Sequence, residues 1–322
     1  MKIASFFSGI GGLDKGFINQ GFDIVFSNDN WKGCWKTYEH NLHLKMNKKS
    51  IEDIDCDDVP DVTGFIGGPP CQSWSLAGSM KGINDPRGQL LYEYLRLIDC
   101  KKPKFFLMEN VAGMLSKTHK PDFDDFVRKL KKMNYVLSYK ILNASDYLVA
   151  QDRKRVILVG FHDSLNTKFT FPEPSNRKIT LRETIGDLPE PLPTKRDAIL
   201  PNKLDVPNHE YMTGDFSSIY MSRNRVRTWD EQSFTIQASG RHAPCHPQAN
   251  RMIKVDKDKH IFDCNTPKPY RRLSVRECAR IQSFPDDYIF YYKKINDGYK
   301  MVGNAVPVNL SEALAKQLQR YF

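Results

Sequence analysis

The chain contains no C-x-x-C pair, no apolar run approaching the length of a membrane span, and no internal repeat. Its seven cysteines (Cys34, Cys56, Cys71, Cys100, Cys245, Cys264 and Cys278) are odd in number. Their spacing indicates neither a structural zinc site nor a disulfide framework, so no metal is expected and a reducing cytoplasm fits. Met1-Lys2 leads straight into a strand-like segment, without the apolar core of a signal peptide. A complete G-x-G-x-x-G is also missing, which counts against a nicotinamide-dependent dehydrogenase. Acidic residues are in deficit: 38 Asp and Glu against 48 Lys and Arg leave a formal charge of +10. That excess points to an anionic partner, nucleic acid ahead of membrane.

What is present is a 322-residue chain, 40% apolar and 27% charged, the composition of a globular protein with room for more than one domain. Strand-like runs at Ile3 to Phe7, Phe22 to Ser27, Val62 to Ile66, Phe105 to Met108 and Val156 to Phe161 alternate with helical periodicity. The helical stretches are Leu13 to Gln20, Lys32 to Asn41, Leu90 to Ile98 and Phe123 to Met133. This order predicts an α/β fold, a mostly parallel sheet with helices on both faces, whose sites lie beyond the carboxyl ends of the strands.

From about Phe171 the pattern breaks at Pro172, Pro174, Pro189, Pro191, Pro193, Pro201 and Pro207. The expected division is a catalytic and cofactor-binding domain over 1–170 and a smaller, irregular, β-rich domain over 171–272. An interdomain segment over 273–300 follows, and 301–322 returns to the first domain, with Leu310, Leu314 and Leu318 on one helical face.

Four strand exits carry chemistry. Phe7-Ser8-Gly9-Ile10-Gly11-Gly12 follows the first strand, and Asp29 at the end of the second is placed to accept ribose hydroxyls. Gly67-Gly68-Pro69-Pro70-Cys71-Gln72-Ser73 follows Val62 to Ile66 and presents a cysteine on a rigid turn. Glu109-Asn110-Val111 puts a carboxylate on the same edge. Gln151-Asp152-Arg153-Lys154-Arg155 precedes the last of these strands; Arg153 and Arg155 alternate to one side, as fits a pair gripping phosphate or propping the cysteine loop.

With Arg276-Glu277 and Gly303-Asn304-Ala305-Val306-Pro307, these segments make an ordered series of six motifs. The series resembles that of the DNA (cytosine-5)-methyltransferases of the bacterial restriction–modification type. The resemblance implies an S-adenosylmethionine-dependent methyltransferase fold, with Cys71 as nucleophile, Glu109 as partner of ring nitrogen 3, and Arg153 and Arg155 as stabilisers of the flipped nucleotide and the cysteine loop. It implies cofactor contacts from Phe7, Gly9, Gly11, Gly12, Asp29, Asn30, Trp31, Pro70, Asn304 and Val306, S-adenosylhomocysteine as product, and a brace between domains at Arg276-Glu277. The chain departs from the family pattern in having Asp29-Asn30 where Glu and an aromatic are usual, and Ser50 where an adenine-binding Asp is usual, with Glu52 and Asp53 nearby.

Met221 to Arg227 and Ser233 to Arg241 are similar to family members that modify GGCC. The resemblance makes this the target-recognition region and double-stranded DNA the partner. Arg223, Arg225 and Arg227 alternate as on one face of a strand, and with Gln237 and Arg241 they are the expected DNA contacts. Arg227 has phosphate anchoring as its alternative. The expected protein is a cytoplasmic, nucleoid-associated monomer that protects DNA from a cognate restriction endonuclease without touching it. The same chemistry on transfer RNA, and a catalytically silent DNA-binding regulator, are the competing readings.

Overall fold

The computed structural model describes residues 1–70, 86–198 and 204–322; Cys71 lies outside the described residues. The chain divides into two compact units. The first comprises Met1–Asn143, Lys154–Glu173 and Leu310–Phe322, and the second Ala144–Arg153 and Pro174–Asn309.

The first unit is built on a six-stranded sheet of β1 (Lys2–Phe6), β2 (Asp23–Asn28), β3 (Gly64–Gly67), β4 (Phe105–Val111), β5 (Tyr135–Asn143) and β6 (Lys154–His162). The order is β2-β1-β3-β4-β6-β5. Pairing is parallel from β2 through β4, as the alternating pattern predicts. At β6 the direction reverses, and both its pairings are antiparallel. An antiparallel neighbour needs no crossover helix, and none lies between β5 and β6.

Alternation along β1 assigns the two faces. Ala4 and Phe6 join a cluster with Leu91, Tyr94, Leu95 and Ile98 of α3 (Pro86–Lys101) and Phe123, Phe126 and Leu130 of α4 (Lys120–Lys132). Ser5 points to the other side, where its hydroxyl meets Asp14 of α1 (Gly12–Asn19). Helix α2 (Lys32–Leu42) completes the first βαβα run. The terminal helix α8 (Val308–Gln319) buries Leu310, Leu314 and Leu318 completely. Its Ser311 hydroxyl donates to the Leu13 carbonyl at the start of α1.

One expectation is overturned: Cys56 and Cys100 form a disulfide, with their Cα atoms 6.3 Å apart. Their sequence separation of 44 matches no spacing motif; only the packing of the α3 end against a short turn brings the pair together. Among the other described cysteines Cys34, Cys245 and Cys278 are buried and Cys264 is exposed. The cysteine content therefore no longer supports a reducing compartment. Among the described residues, no helix is long and apolar enough to cross a membrane.

The second unit has little regular structure. It holds the pairs β7 (Leu192–Thr194) with β8 (Glu210–Met212) and β9 (Ile253–Asp256) with β10 (Lys259–Ile261). Its helices are α5 (Leu181–Ile185), α6 (Val275–Ile281) and α7 (Ile295–Asn304). Ser274 caps α6 reciprocally with Glu277. The Arg276-Glu277 pair is not a surface ion pair. Arg276 is buried and donates to the carbonyls of Pro207, Pro285 and Tyr288, while Glu277 takes a two-pronged bond from Arg271. All these partners belong to the second unit.

A Cβ at Gly16 would lie 2.4 Å from the Ser311 Cβ and 2.7 Å from the Glu312 backbone nitrogen. Gly16→Ala therefore forces α1 and α8 apart and is expected to destabilise the fold by roughly 1–3 kcal/mol. Urea denaturation of the full chain measures this; an unchanged midpoint would show that the two helices are not in the close contact described.

Candidate active site and recognition cleft

In the first unit, the loop after β1 is held in unusual backbone geometry. Phe7, Gly9 and Gly11 have φ of 53°, 54° and 81°. Phe7 stands edge-on to Tyr94 at 6.5 Å. Among the described residues, a Cβ on Gly9 would meet nothing within 4 Å, so none of them fills the space over this turn. Gly11 caps α1 without a side chain, and Gly12 begins it. Asp29 ties the loop to β2: its two carboxylate oxygens accept from the Gly9 and Trp31 amides, both at 2.8 Å. Asn30 is exposed, Trp31 half-buried, and Trp35 donates to the Asp29 carbonyl at 2.8 Å. Ser50 bonds Glu52 at 3.1 Å in a short turn. An open glycine turn at a helix start beside a carboxylate fits a cofactor with a ribose.

Beneath this loop lies a group that the motif reading missed. Asp14 is fully buried and accepts from the Ser5 hydroxyl and the Tyr38 phenol, each at 2.6 Å, with Ser8 hydrogen-bonded to Ser5 at 2.8 Å. Burial pushes the Asp14 carboxyl up to about 6, against the two hydrogen bonds. The sequence signal was there: Asp14 sits between Leu13 and Phe17 on the inward stripe of α1.

At the next strand exits, β3 and β4 run in register with Gly67 opposite Met108. Glu109 follows, nearly buried, with its Oε1 3.0 Å from Arg155 Nε. A Cβ on Gly68 would sit 3.7 Å from Glu109 Oε2. Asn110 donates to the Pro69 carbonyl at 3.3 Å. The described chain thus carries Pro70 to the same edge as Glu109, with Cys71 the next residue.

Arg153 and Arg155 do not act as the expected same-side pair. Arg155 lies in β6 and engages Glu109. Arg153 precedes β6 and is 2% exposed; its guanidinium donates to the carbonyls of Ile236, Gly303 and Ala305 at 3.0–3.1 Å. It is a brace inside the second unit. Asn304 there is exposed at the end of α7, and Val306 is buried.

Of the recognition candidates, Arg223, Arg225 and Gln237 line a cleft of about 280 Å³ in the second unit, with Asn224 and His242 among others; Arg227 and Arg241 are not part of its lining. The segment from Arg223 to Arg227 is not a strand; a single bridge at Val226 is its only ladder contact. The three arginines consequently do not share one face. Arg223 is exposed. Arg225 is buried, and its Nε and Nη2 donate to the Tyr220 and Ile219 carbonyls at 2.8 and 3.0 Å. Arg227 pairs with Asp152 and Glu231 at 3.1 and 3.3 Å over the ring of Phe234. Arg241 is exposed and Gln237 half-buried. A Cβ on Gly303 would meet the Gln237 carbonyl at 2.3 Å, so only glycine lets α7 seat against that backbone.

A sheet with a glycine turn after its first strand, a ribose-ready carboxylate after its second and a proline–carboxylate edge after its third and fourth defines an S-adenosylmethionine-dependent methyltransferase. Within that class the chain belongs to the C-5 cytosine-specific DNA methylase family, whose profile matches residues 1–320. It is 65% identical over 321 residues to the type II methyltransferase M.MthTI of Methanothermobacter thermautotrophicus, covering 99% of this chain and 97% of that protein. It is 51% identical over 324 residues to the type II methyltransferase M.FnuDI of Fusobacterium nucleatum, covering 99% and 94%. Among solved structures, the methyltransferase EhMeth of Entamoeba histolytica shares the fold with a TM-score of 0.70 at 19% identity, covering 100% and 97%. The protein is an enzyme that transfers a methyl group from S-adenosylmethionine to carbon 5 of cytosine in double-stranded DNA.

Asp14 gives a pH signature. Its folded-state carboxyl titrates near 6 against an ordinary 3.8. The protonated form therefore favours folding, a contribution complete below pH 4 and lost as pH rises through 6. Asp14→Asn cannot titrate, so the wild type should lose up to about 3 kcal/mol relative to it between these limits. Denaturant unfolding of both proteins across that range measures the difference. A constant difference would show that Asp14 is not buried as described.

Proposed function

We propose that this enzyme methylates the inner cytosine of GGCC through a transient covalent bond to Cys71. The observation that carries the chemistry is the edge where Pro69, Asn110, Glu109 and Arg155 converge one residue short of Cys71. Carbon 5 of cytosine is too electron-poor to take a methyl group unaided. Addition of the Cys71 thiolate to carbon 6 makes it nucleophilic, and Glu109, oriented by Arg155, holds ring nitrogen 3 as charge develops there. S-adenosylmethionine supplies the electrophilic methyl group and leaves as S-adenosylhomocysteine. Loss of the carbon 5 proton then lets the Cys71–carbon 6 bond break, which restores both the aromatic ring and the thiolate.

Phe7, Gly9, Gly11, Gly12, Asp29, Asn30, Trp31 and Pro70 are the residues of the first unit proposed to hold the cofactor, with Asp29 both orienting the loop and accepting ribose hydroxyls. Asn304 and Val306 are proposed to contribute from the motif at the end of α7. The target base must leave the duplex to reach the site. Residues 171–272 are proposed to hold the DNA, 273–300 to join the domains and 301–322 to return to the catalytic domain.

Arg223 and Arg241 are the exposed candidates for guanine. Arg225, which lines the cleft with Nε and Nη2 on carbonyls, is proposed as a third. The similarity of Met221 to Arg227 and Ser233 to Arg241 to enzymes that modify GGCC supports the target. A monomer paired in function with an endonuclease of the same specificity, without contact between them, completes the proposal.

Cys71→Ala should abolish methyl transfer while duplex binding persists. Duplexes carrying 5-fluorocytosine at the inner position of GGCC should trap the wild type as an adduct that survives denaturation. Trapping of the alanine variant to the same extent would refute the role of Cys71. Bisulfite mapping centred on another sequence would refute the target and leave the chemistry standing.

A further inference from the structure

The recognition cleft poses a problem of hydrogen-bond balance. In the major groove a G·C pair presents two acceptors on guanine and one donor, the exocyclic amino group of cytosine. Guanidiniums only donate. A cleft that reads guanine with Arg223 and Arg225, helped by the exposed Arg241, would leave the amino group of each pair facing donors, and a buried donor without an acceptor is costly.

The acceptors in the cleft wall are mostly committed. Asp152 is paired with Arg227, and Thr235 donates to the Asp152 carbonyl at 2.6 Å. The Asn224 side-chain oxygen accepts from the Val226 and Met252 amides at 3.2 and 3.0 Å. Gln237 and His242 are left. His242 lines the cleft half-buried, in a short turn whose cap is the Ser239 hydroxyl. No side-chain hydrogen bond of its ring is found among the described residues.

We propose that His242 is a specificity-determining residue, whose ring nitrogen accepts a hydrogen bond from the amino group of a non-target cytosine in the recognised site. The proposal rests on the reading of this cleft as the DNA-recognition surface. Its chemistry is supported from a second side. Burial, followed by the guanidiniums of Arg225, Arg241, Arg223 and Arg272, holds the imidazole below its ordinary range. At neutral pH the ring stays uncharged and keeps one acceptor nitrogen. In a wall of fixed positive charge, it shares with Gln237 the ability to meet a donor without adding to the charge.

The test starts by mapping the methylated sequence, then replaces each non-target cytosine of that sequence in turn with a pyrimidine lacking the 4-amino group. For the wild type, kcat/KM should fall about tenfold at one position. His242→Ala should show a similar fall on the natural duplex and no further fall when that amino group is missing. His242→Asn, which keeps an acceptor, should retain most of the response. Melting curves on each variant keep folding separate from recognition. Independent, multiplicative losses at every position would overturn the role of His242. If Arg223→Ala and Arg241→Ala leave sequence discrimination intact, the cleft is not the recognition surface and the underlying reading fails instead. A mapped site other than GGCC changes only which cytosines are replaced.

Discussion

The second unit depends on one buried guanidinium. Arg153 carries its charge into the interior and distributes it over the carbonyls of Ile236, Gly303 and Ala305. Isolated burial of such a charge is prohibitive; three acceptors make it tolerable and make each of those carbonyls dependent on it. Neighbouring residues repeat the arrangement. Gln151 accepts from the Ile236 amide and donates to Gln282, and the Thr235 hydroxyl donates to the Asp152 carbonyl. A ten-residue stretch, Ala144–Arg153, thus serves as the internal scaffold of a unit that has few ladders of its own. The irregular backbone that carries Gln237 keeps its place through these polar contacts and the missing side chain of Gly303.

Arginine does two kinds of work here, and burial separates them. Arg153, Arg271, Arg272 and Arg276 are buried, and each of them donates to main-chain carbonyls. Arg223 and Arg241 stand exposed. Arg225 lines the cleft yet is buried and donates to main-chain carbonyls like the first group. The charge surplus of the chain is therefore partly structural, which a count of basic residues could not reveal.

Legibility in the sequence followed the range of the forces involved. Strands buried on both faces announce themselves as apolar runs whatever their direction, and Phe105 to Met108 and Val156 to Phe161 did so. The edge strand β5 did not. Val136, Tyr139, Lys140 and Ile141 are exposed, so neither a continuous apolar run nor a clean alternation marks it. The glycine loop, Glu109 and the proline turn could be placed at strand exits because their signals are local. The disulfide between Cys56 and Cys100, the Ser5–Asp14–Tyr38 network and the carbonyls that hold Arg153 are pairings across long separations. The alternation of Arg223, Arg225 and Arg227 misled for the opposite reason. A period of two predicts a shared face only where a strand forms, and side-chain bonds to carbonyls fixed this segment instead.

The interleaved order of the two units has a consequence for how the protein is made. The sheet of the first unit is drawn from Met1–Asn143 and Lys154–Glu173, but its last helix is read from Leu310 onward. During synthesis the groove that receives Leu310, Leu314 and Leu318 must wait, apolar and uncovered, while the whole of the second unit emerges. Chains stalled before that point would expose the kind of surface that invites aggregation. Completion of the methyltransferase fold is thereby tied to the synthesis of Leu310–Phe322, so a chain that stops before Leu310 cannot assemble its first unit in full.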